Sequence, residues 1–311
     1  MCGGGAAGAP RAAAPAAAAP LRLPVACTLG ESCFIQQYVD RDPGPGAVDF
    51  TCGPLSYDGH EGTDFALTTL AAMATGVDVL APAAGRVRAV RDGMPDIAAN
   101  DPAAPPLAGR DCGNGVVIDH ADGWQTQLCH LAQGSVAVRP GDAVQAGQPL
   151  GRIGLSGRTE FPHVHLTVRR GGAVIDPFRP EASPGCGAAG ETLWADPPLY
   201  RPGGILDIGL TAHPPSFDDV KAGLPAAPLP SAPPAIILWA HLFGTRAGDR
   251  LSLTVTGPGG TVIAQTVTLD RTQARAYRYA GRRAPAPGPY TATVTLIRDG
   301  AVLESRSLGG S

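Results

Sequence analysis

Between residue 60 and about residue 178, glycines and prolines cut the chain into short apolar or alternating runs. No amphipathic stretch of roughly 12 residues survives there to make a packed helix. The runs Val77–Leu80, Gly85–Val90, Gly115–Asp119, Gln125–His130, Pro149–Ile153 and His163–Val168 read as strands. Leu67–Ala74 is the exception, with room for one or two helical turns. This spacing predicts a compact all-β domain.

Strand patterning returns from Ala235, in Ile236–Leu242, Arg250–Thr256, Thr261–Leu269, Ala274–Tyr279, Tyr290–Ile297 and Val302–Ser307. Even spacing and turns such as Gly257-Pro258-Gly259-Gly260 and Asp299-Gly300 predict a small immunoglobulin-like sandwich over 235–311. Two such units suit a chain of 311 residues. Gly 42 and Pro 32 are unevenly spread, concentrating in tails, turns and linkers rather than denying the chain a core. The expected organisation is a disordered Ala/Pro/Gly tail over 1–26, a first β domain over 27–180, a Pro-rich connector over 181–234, and the sandwich. Residues 91–113, with Pro95, Pro102, Pro105 and Pro106, form a long loop expected to wall one side of a groove.

Composition removes several classes of function. A net charge of −3 with 16% charged residues leaves no concentrated basic face, so no nucleic-acid partner is expected. No run of about 20 apolar residues is present to make a transmembrane helix. Lys221 is the only lysine, which rules out a lipoyl-type carrier even though Gly141–Ile153 has the look of its hairpin. The cysteines, at 2, 27, 33, 52, 112, 129 and 186, contain no CxxC pair and fit an exported protein with a few disulfides. Cys27 and Cys33 are close enough to close a loop, and the other pairings stay open. No signal peptide is visible, while Met1-Cys2-Gly3-Gly4-Gly5 is similar to the mature start of a bacterial lipoprotein with Cys2 as the lipid-bearing residue.

The candidate chemistry lies in His60-Glu61-Gly62-Thr63-Asp64, Leu128-Cys129-His130-Leu131 and Pro162-His163-Val164-His165-Leu166. On a strand, His163 and His165 point to the same face. Neutral imidazoles with a carboxylate as third ligand make a zinc site with one position left for water, the requirement for metal-assisted hydrolysis. An HxH on a strand taken alone is more often packing; order and framing carry the argument. Residues 45–178 resemble the LytM/lysostaphin-type zinc metallopeptidases of family M23. The frame runs through Gly59–Ala66, Val79–Val87, Gly113–Gly123, Thr126–Leu131, Gly141–Gln148, Gly151–Gly157 and Pro162–His165.

The resemblance implies an M23-type β-sheet/β-clip domain that binds one zinc ion through His60, Asp64 and His165. It makes His130 and His163 catalytic, as general base and transition-state donor, without ordering them. It implies a zinc endopeptidase hydrolysing the peptide cross-links of bacterial peptidoglycan with a metal-activated water. The alternative is a catalytically silent LytM-type module that binds cell wall or activates a partner hydrolase. The lipoprotein-like start and lysine-poor composition lean toward the periplasm or outer membrane of a Gram-negative-like bacterium. The bond would then be a D-Ala–diaminopimelate cross-link, with a glycyl-glycine bridge as the other option. Leu128 stands where the family usually has an aromatic, and Leu166-Thr167 where Phe-Glu is common; both changes are expected to touch substrate contacts rather than the metal site. His120, His213 and His241 match no ligand spacing and are expected in packing or at the surface. Glu61 is not expected as a base, because Gly62 argues against the helix that a zincin motif needs. Asp119 and Asp122 are expected to cap a turn. Trp239, Tyr277, Tyr279 and Tyr290 could offer a sugar-stacking face, though tyrosines on strands usually serve cores.

Overall fold

The computed structural model describes residues 20–309, apart from 182–184, 188–189, 225–228, 231 and 284. Cys2, with its expected lipid, and the start of the tail lie outside the described residues.

The first unit contains β1 (Cys33–Gln37), β2 (Thr63–Leu67), α1 (Leu70–Ala74), β3 (Asp78–Leu80), β4 (Gly85–Arg91), β5 (Asn114–Asp119), β6 (Trp124–Leu131), β7 (Ala143–Val144), β8 (Pro149–Arg152), β9 (His163–Arg170) and β10 (Ala173–Ile175). The main sheet runs β1-β2-β9-β6-β5-β4-β7, with β10 on the other half of β9, while β3 and β8 pair beside it. Every pairing is antiparallel. Alternation explains the core: Phe65, Leu67, Leu128, Val164, Leu166 and Val168 pack beneath the sheet, each worth about 1.5–3 kcal/mol of apolar burial. β1 and β2 escape the pattern because all their residues are buried, so neither shows the polar-out rhythm that marks a half-buried strand. Helix α1 is shorter than expected, since Leu67 ends β2 and Thr69 caps the helix by accepting from Ala72 N–H.

Two expected boundaries are corrected. The tail does not extend to residue 26: Leu21 and Val25 are buried and bridge to Trp194 and Val79, because Leu21, Leu23 and Val25 alternate as a strand does. The stretch 181–234 is not simply a connector. It supplies β11 (Gly204–Thr211) and α2 (Phe217–Ala222), and β11 pairs along β12 (Ala235–Thr245). The strand was hidden by a bulge between Ile205 and Asp207, which breaks its alternation, and by the prolines around it.

The sandwich continues with β13 (Arg250–Gly257), β14 (Gly260–Thr268), β15 (Gln273–Arg283), β16 (Thr291–Arg298) and β17 (Ala301–Leu308). The six expected strands all form, and sheets β11-β12-β15 and β14-β13-β16-β17 face each other over Leu238, Leu242, Leu253, Val255, Val294 and Leu296. The four aromatics do not make a stacking face. Trp239 and Tyr290 are buried, Tyr277 donates to the Pro215 carbonyl, and among them Tyr279 alone is well exposed. Among the described residues, three disulfides link Cys27 to Cys33, Cys52 to Cys186 and Cys112 to Cys129. The last ties the end of the 91–113 loop to β6. That loop is further held by Asp96, whose carboxylate accepts from the N–H groups of Gln133 and Leu155.

Candidate active site

β2 and β9 lie side by side with Asp64 opposite His165 and Ala66 opposite His163. Residues paired across antiparallel strands share a face. Both histidines therefore rise on the side where Asp64 emerges, while Val164 and Leu166 turn into the core. His60 arrives from the turn before β2, with its N–H donating to the Tyr57 carbonyl. His60 Nε2, Asp64 Oδ1 and His165 Nδ1 form a triangle with edges of 3.2 Å (His60 to Asp64), 3.1 Å (His60 to His165) and 2.8 Å (Asp64 to His165).

The other ring nitrogen of each imidazole is engaged. His60 Nδ1 lies 2.7 Å from the Tyr38 carbonyl, which can only accept, so the proton sits on Nδ1 and Nε2 presents a lone pair. His165 Nε2 lies 3.0 Å from Thr167 Oγ1, leaving Nδ1 for the triangle. Ligands at 2.0–2.1 Å around a tetrahedral ion stand roughly 3.3 Å apart. The three edges lie within about half an ångström of that spacing, and two imidazoles with a carboxylate are a zinc-type donor set. His130, His163 and His165 also come within ligand distance of one another. That triple lacks a carboxylate and shares His165, so the two describe one centre flanked by two further histidines.

His130 reaches the centre by a backbone irregularity. Alternation would put it on the core face with Leu128. Between β5 and β6, however, Gly115 pairs with Cys129 and Asn114 with Leu131, leaving His130 as the extra residue of a bulge. Its φ is 65°, in the left-handed region. The bulge turns the side chain to the opposite face, where Nδ1–H donates to the Ser156 carbonyl at 2.8 Å. The ring then lies 4.6 Å, centroid to centroid, from that of His163. His163 Nδ1–H donates to the Phe161 carbonyl at 3.0 Å, and its Nε2 is 3.5 Å from Asp64 Oδ1.

The buried charges are balanced unevenly. Burial opposes the charge on Asp64, yet His60 and His163 and the hydrogen bonds around it hold the carboxyl well below the usual range. Burial likewise opposes a charge on His60, but Asp64 and the Tyr38 carbonyl outweigh it and raise the pKa. Desolvation pulls His165 down, and it pulls His130 well down with help from His163 and His165, so burial favours the uncharged imidazole at His130. An open cavity of about 610 Å³ adjoins His60 and is lined by Asp40, Arg41, Asp58, Glu61 and Asp176 among others.

The remaining candidates separate from the centre. Glu61 is exposed and pairs with Arg169 at 3.5 Å. His120 donates from Nδ1 to the Ala84 carbonyl and accepts from Thr126 Oγ1 at Nε2. Asp119 and Asp122 do not cap their turn: His120 holds the cap position without a side-chain bond, and Asp119 accepts from Gln125 instead. Leu128 is core, opposite Leu166. Thr167, by contrast, touches His165, so that departure from the family pattern sits at the metal-side histidine. Tyr38, Ser156 and Phe161, which orient three of the rings, carried no sequence signal, since a backbone carbonyl has no residue signature and the contacts span up to 26 residues.

The model of peptidase family M23 matches residues 58–177. DD-carboxypeptidase/endopeptidase Mpg of Neisseria meningitidis serogroup B is 34% identical over 105 residues, which cover 33% of this chain and 21% of that protein. Peptidoglycan DD-endopeptidase ShyA of Vibrio cholerae is 32% identical over 109 residues, covering 35% and 20%. The chain thus spans about a fifth of the length of these two relatives. Among solved structures, the catalytic domain of the prophage-encoded M23 protein EnpA from Enterococcus faecalis is 25% identical. It covers 48% of this chain and 92% of that one, with a TM-score of 0.34. The histidine–aspartate centre of this chain lies inside the segment, residues 58–177, that matches peptidase family M23.

Proposed function

We propose that this protein is a zinc-dependent endopeptidase that hydrolyses the peptide cross-links of bacterial peptidoglycan. The observation that carries the reading is the buried triangle of His60 Nε2, Asp64 Oδ1 and His165 Nδ1, with each imidazole's second nitrogen already engaged. These three residues would hold the metal. A zinc ion bound there supplies Lewis acidity, polarising a carbonyl and lowering the pKa of water toward neutrality.

The protein's own groups divide the proton work. His130, kept neutral by burial, commits its N–H to Ser156 and offers Nε2 as acceptor for a proton from the attacking water. Carrying that proton, it can release it to the leaving amine. His163, across a short gap, commits Nδ1–H to Phe161 and turns Nε2 toward the centre, beside the oxygen on which charge develops. The relatives' names, DD-endopeptidase and DD-carboxypeptidase/endopeptidase, favour a cross-link between a D-amino acid and its neighbour. Three disulfides favour an oxidising compartment outside the cytoplasm.

The test pairs metal analysis with muropeptide release from purified sacculi, for the parent and His60→Ala. One zinc per chain and cross-link cleavage, both lost in the variant, are expected, and the released fragments identify the bond. A protein that binds sacculi without zinc or cleavage would instead be a silent cell-wall module.

A further inference from the structure

We propose that Arg275 of the C-terminal sandwich is a positioning residue for His163, acting through Phe161, so that the accessory unit completes the peptidase centre. This rests on reading His163 as catalytic.

Arg275 lies on β15, in a sheet of the sandwich, yet its guanidinium is spent on the first unit. Nε donates to Gln36 Oε1 at 2.8 Å, and the terminal nitrogens donate to the carbonyls of Leu67 at 2.9 Å and Thr68 at 3.5 Å. The fork thereby clasps β1 and the end of β2, the strand that carries Asp64. The same guanidinium stands 4.8 Å over the ring of Phe161 and 5.4 Å from that of Phe34. A planar cation can make donor contacts at its edge while lying against an aromatic face, which a lysine cannot do in one place.

Phe161 passes this contact to the centre in two ways. Its ring stacks on His163 at 4.6 Å and 25° between planes, and its carbonyl accepts from His163 Nδ1 at 3.0 Å. Phe161 therefore bears on both the plane and the tautomer of that imidazole, with the Thr159 hydroxyl a further 3.1 Å contact of Nδ1. Phe161 belongs to no strand; it sits in the turn 159–162 leading into β9. Its own support is the Thr159 hydroxyl, which donates to its carbonyl, and the small shared core of Phe34, Ala66, Leu206 and Phe243, to which each unit contributes. Arg275 is the charged lid on that core. Its removal leaves the Phe161 ring without its outer face and frees the turn to shift, and a displacement of about 1 Å at a catalytic group is enough to slow chemistry heavily.

The experiment compares Arg275→Gln, Phe161→Leu, the double variant and Phe243→Leu in the full chain. Phe243→Leu loosens the shared core while leaving both Arg275 and Phe161 in place. Zinc content, thermal midpoint, and kcat and KM on a defined cross-linked muropeptide are measured. The ring-proton shifts of His163 are followed by histidine NMR, since stacking on Phe161 displaces them. The expected result is a kcat lowered about tenfold or more in Arg275→Gln and in Phe161→Leu. Zinc content and KM should stay near the parent's, the double variant should be no worse than the worse single, and the His163 shifts should move in Arg275→Gln. Unchanged kcat and unchanged His163 shifts in Arg275→Gln overturn the proposal. So does an equal loss of kcat in Phe243→Leu with the His163 shifts unmoved, which would reduce Arg275 to general interface stability. If the parent protein cleaves nothing, the functional reading fails separately, and the His163 shifts alone decide whether Arg275 positions that ring.

Discussion

At the scale of single residues the centre depends on two backbone features. His130 occupies a left-handed bulge position that glycine ordinarily takes, and holding a histidine there costs about 1–3 kcal/mol unless its surroundings over-determine it. They do: its N–H donates to the Cys112 carbonyl, its ring to Ser156, and its neighbour Cys129 is tied to Cys112. Gly62 is needed for the opposite reason, close approach. A Cβ there would stand 2.5 Å from the His165 ring and 2.8 Å from the Leu166 carbonyl. Gly62→Ala is therefore expected to fold but to push His165 off the triangle and weaken zinc binding by roughly 10–100-fold, the scale of a disturbed ligand support. Zinc titration against a chromogenic chelator measures this, and parent-like affinity would refute the steric account.

At the scale of elements, alternation along β9 sorts core from centre in one strand, and pairing with β2 brings Asp64 to it. The sandwich is organised by burial of a different kind. Arg298 on β16 forms a two-point pair with Asp249 at 2.8 and 2.7 Å and also donates to the carbonyls of Pro202 and Gly244, all in a buried corner between β12 and β13. Asp249→Ala would leave the guanidinium buried and unpaired, an effect of about 3–5 kcal/mol. Urea unfolding should register a loss of that size, while Asp249→Asn, which keeps an acceptor, should lose less. Equal losses would mean that the pair matters by shape rather than charge.

At the scale of the whole molecule the two units are joined by packing as well as by chain. Phe34 of β1 meets Phe243 of β12 at 4.7 Å, and α2 touches α1. On this side of the sandwich His241 is fully buried, beside Phe217 at 5.6 Å, with no hydrogen-bond partner among the described residues. Burial, then the charges of Arg275 and Lys221, push its pKa down to about 3. The unfolded chain takes up this proton near the ordinary value of about 6.5, before the folded one does. Stability is thus lost as pH falls from 6.5 toward 3, and none of this contribution changes above 6.5. Against His241→Leu, the parent should lose about 2–3 kcal/mol of relative stability between pH 7 and 4.5. Denaturant unfolding at both pH values checks the difference, and parallel pH profiles would exclude His241 as its source.

The sequence by itself determined most of the strands of both units, because period-two alternation and glycine punctuation are local properties. It also named five residues that gather at one centre, through their order and the frame around them. It did not reveal β1 and β2, which are buried on both faces and so carry no polar rhythm, or β11, whose bulge and flanking prolines disguised it. Nor could it supply the groups that aim the side chains. Tyr38, Ser156 and Phe161 act through backbone carbonyls, and Arg275 lies 112 positions from His163 in sequence. The bulge at His130 follows from how β5 and β6 register against each other, since two strands must pair before one of them can have a residue too many. Residue identity thus fixed which chemistry was available; the pairing of distant strands and the packing of one unit on the other decided where each reactive nitrogen points.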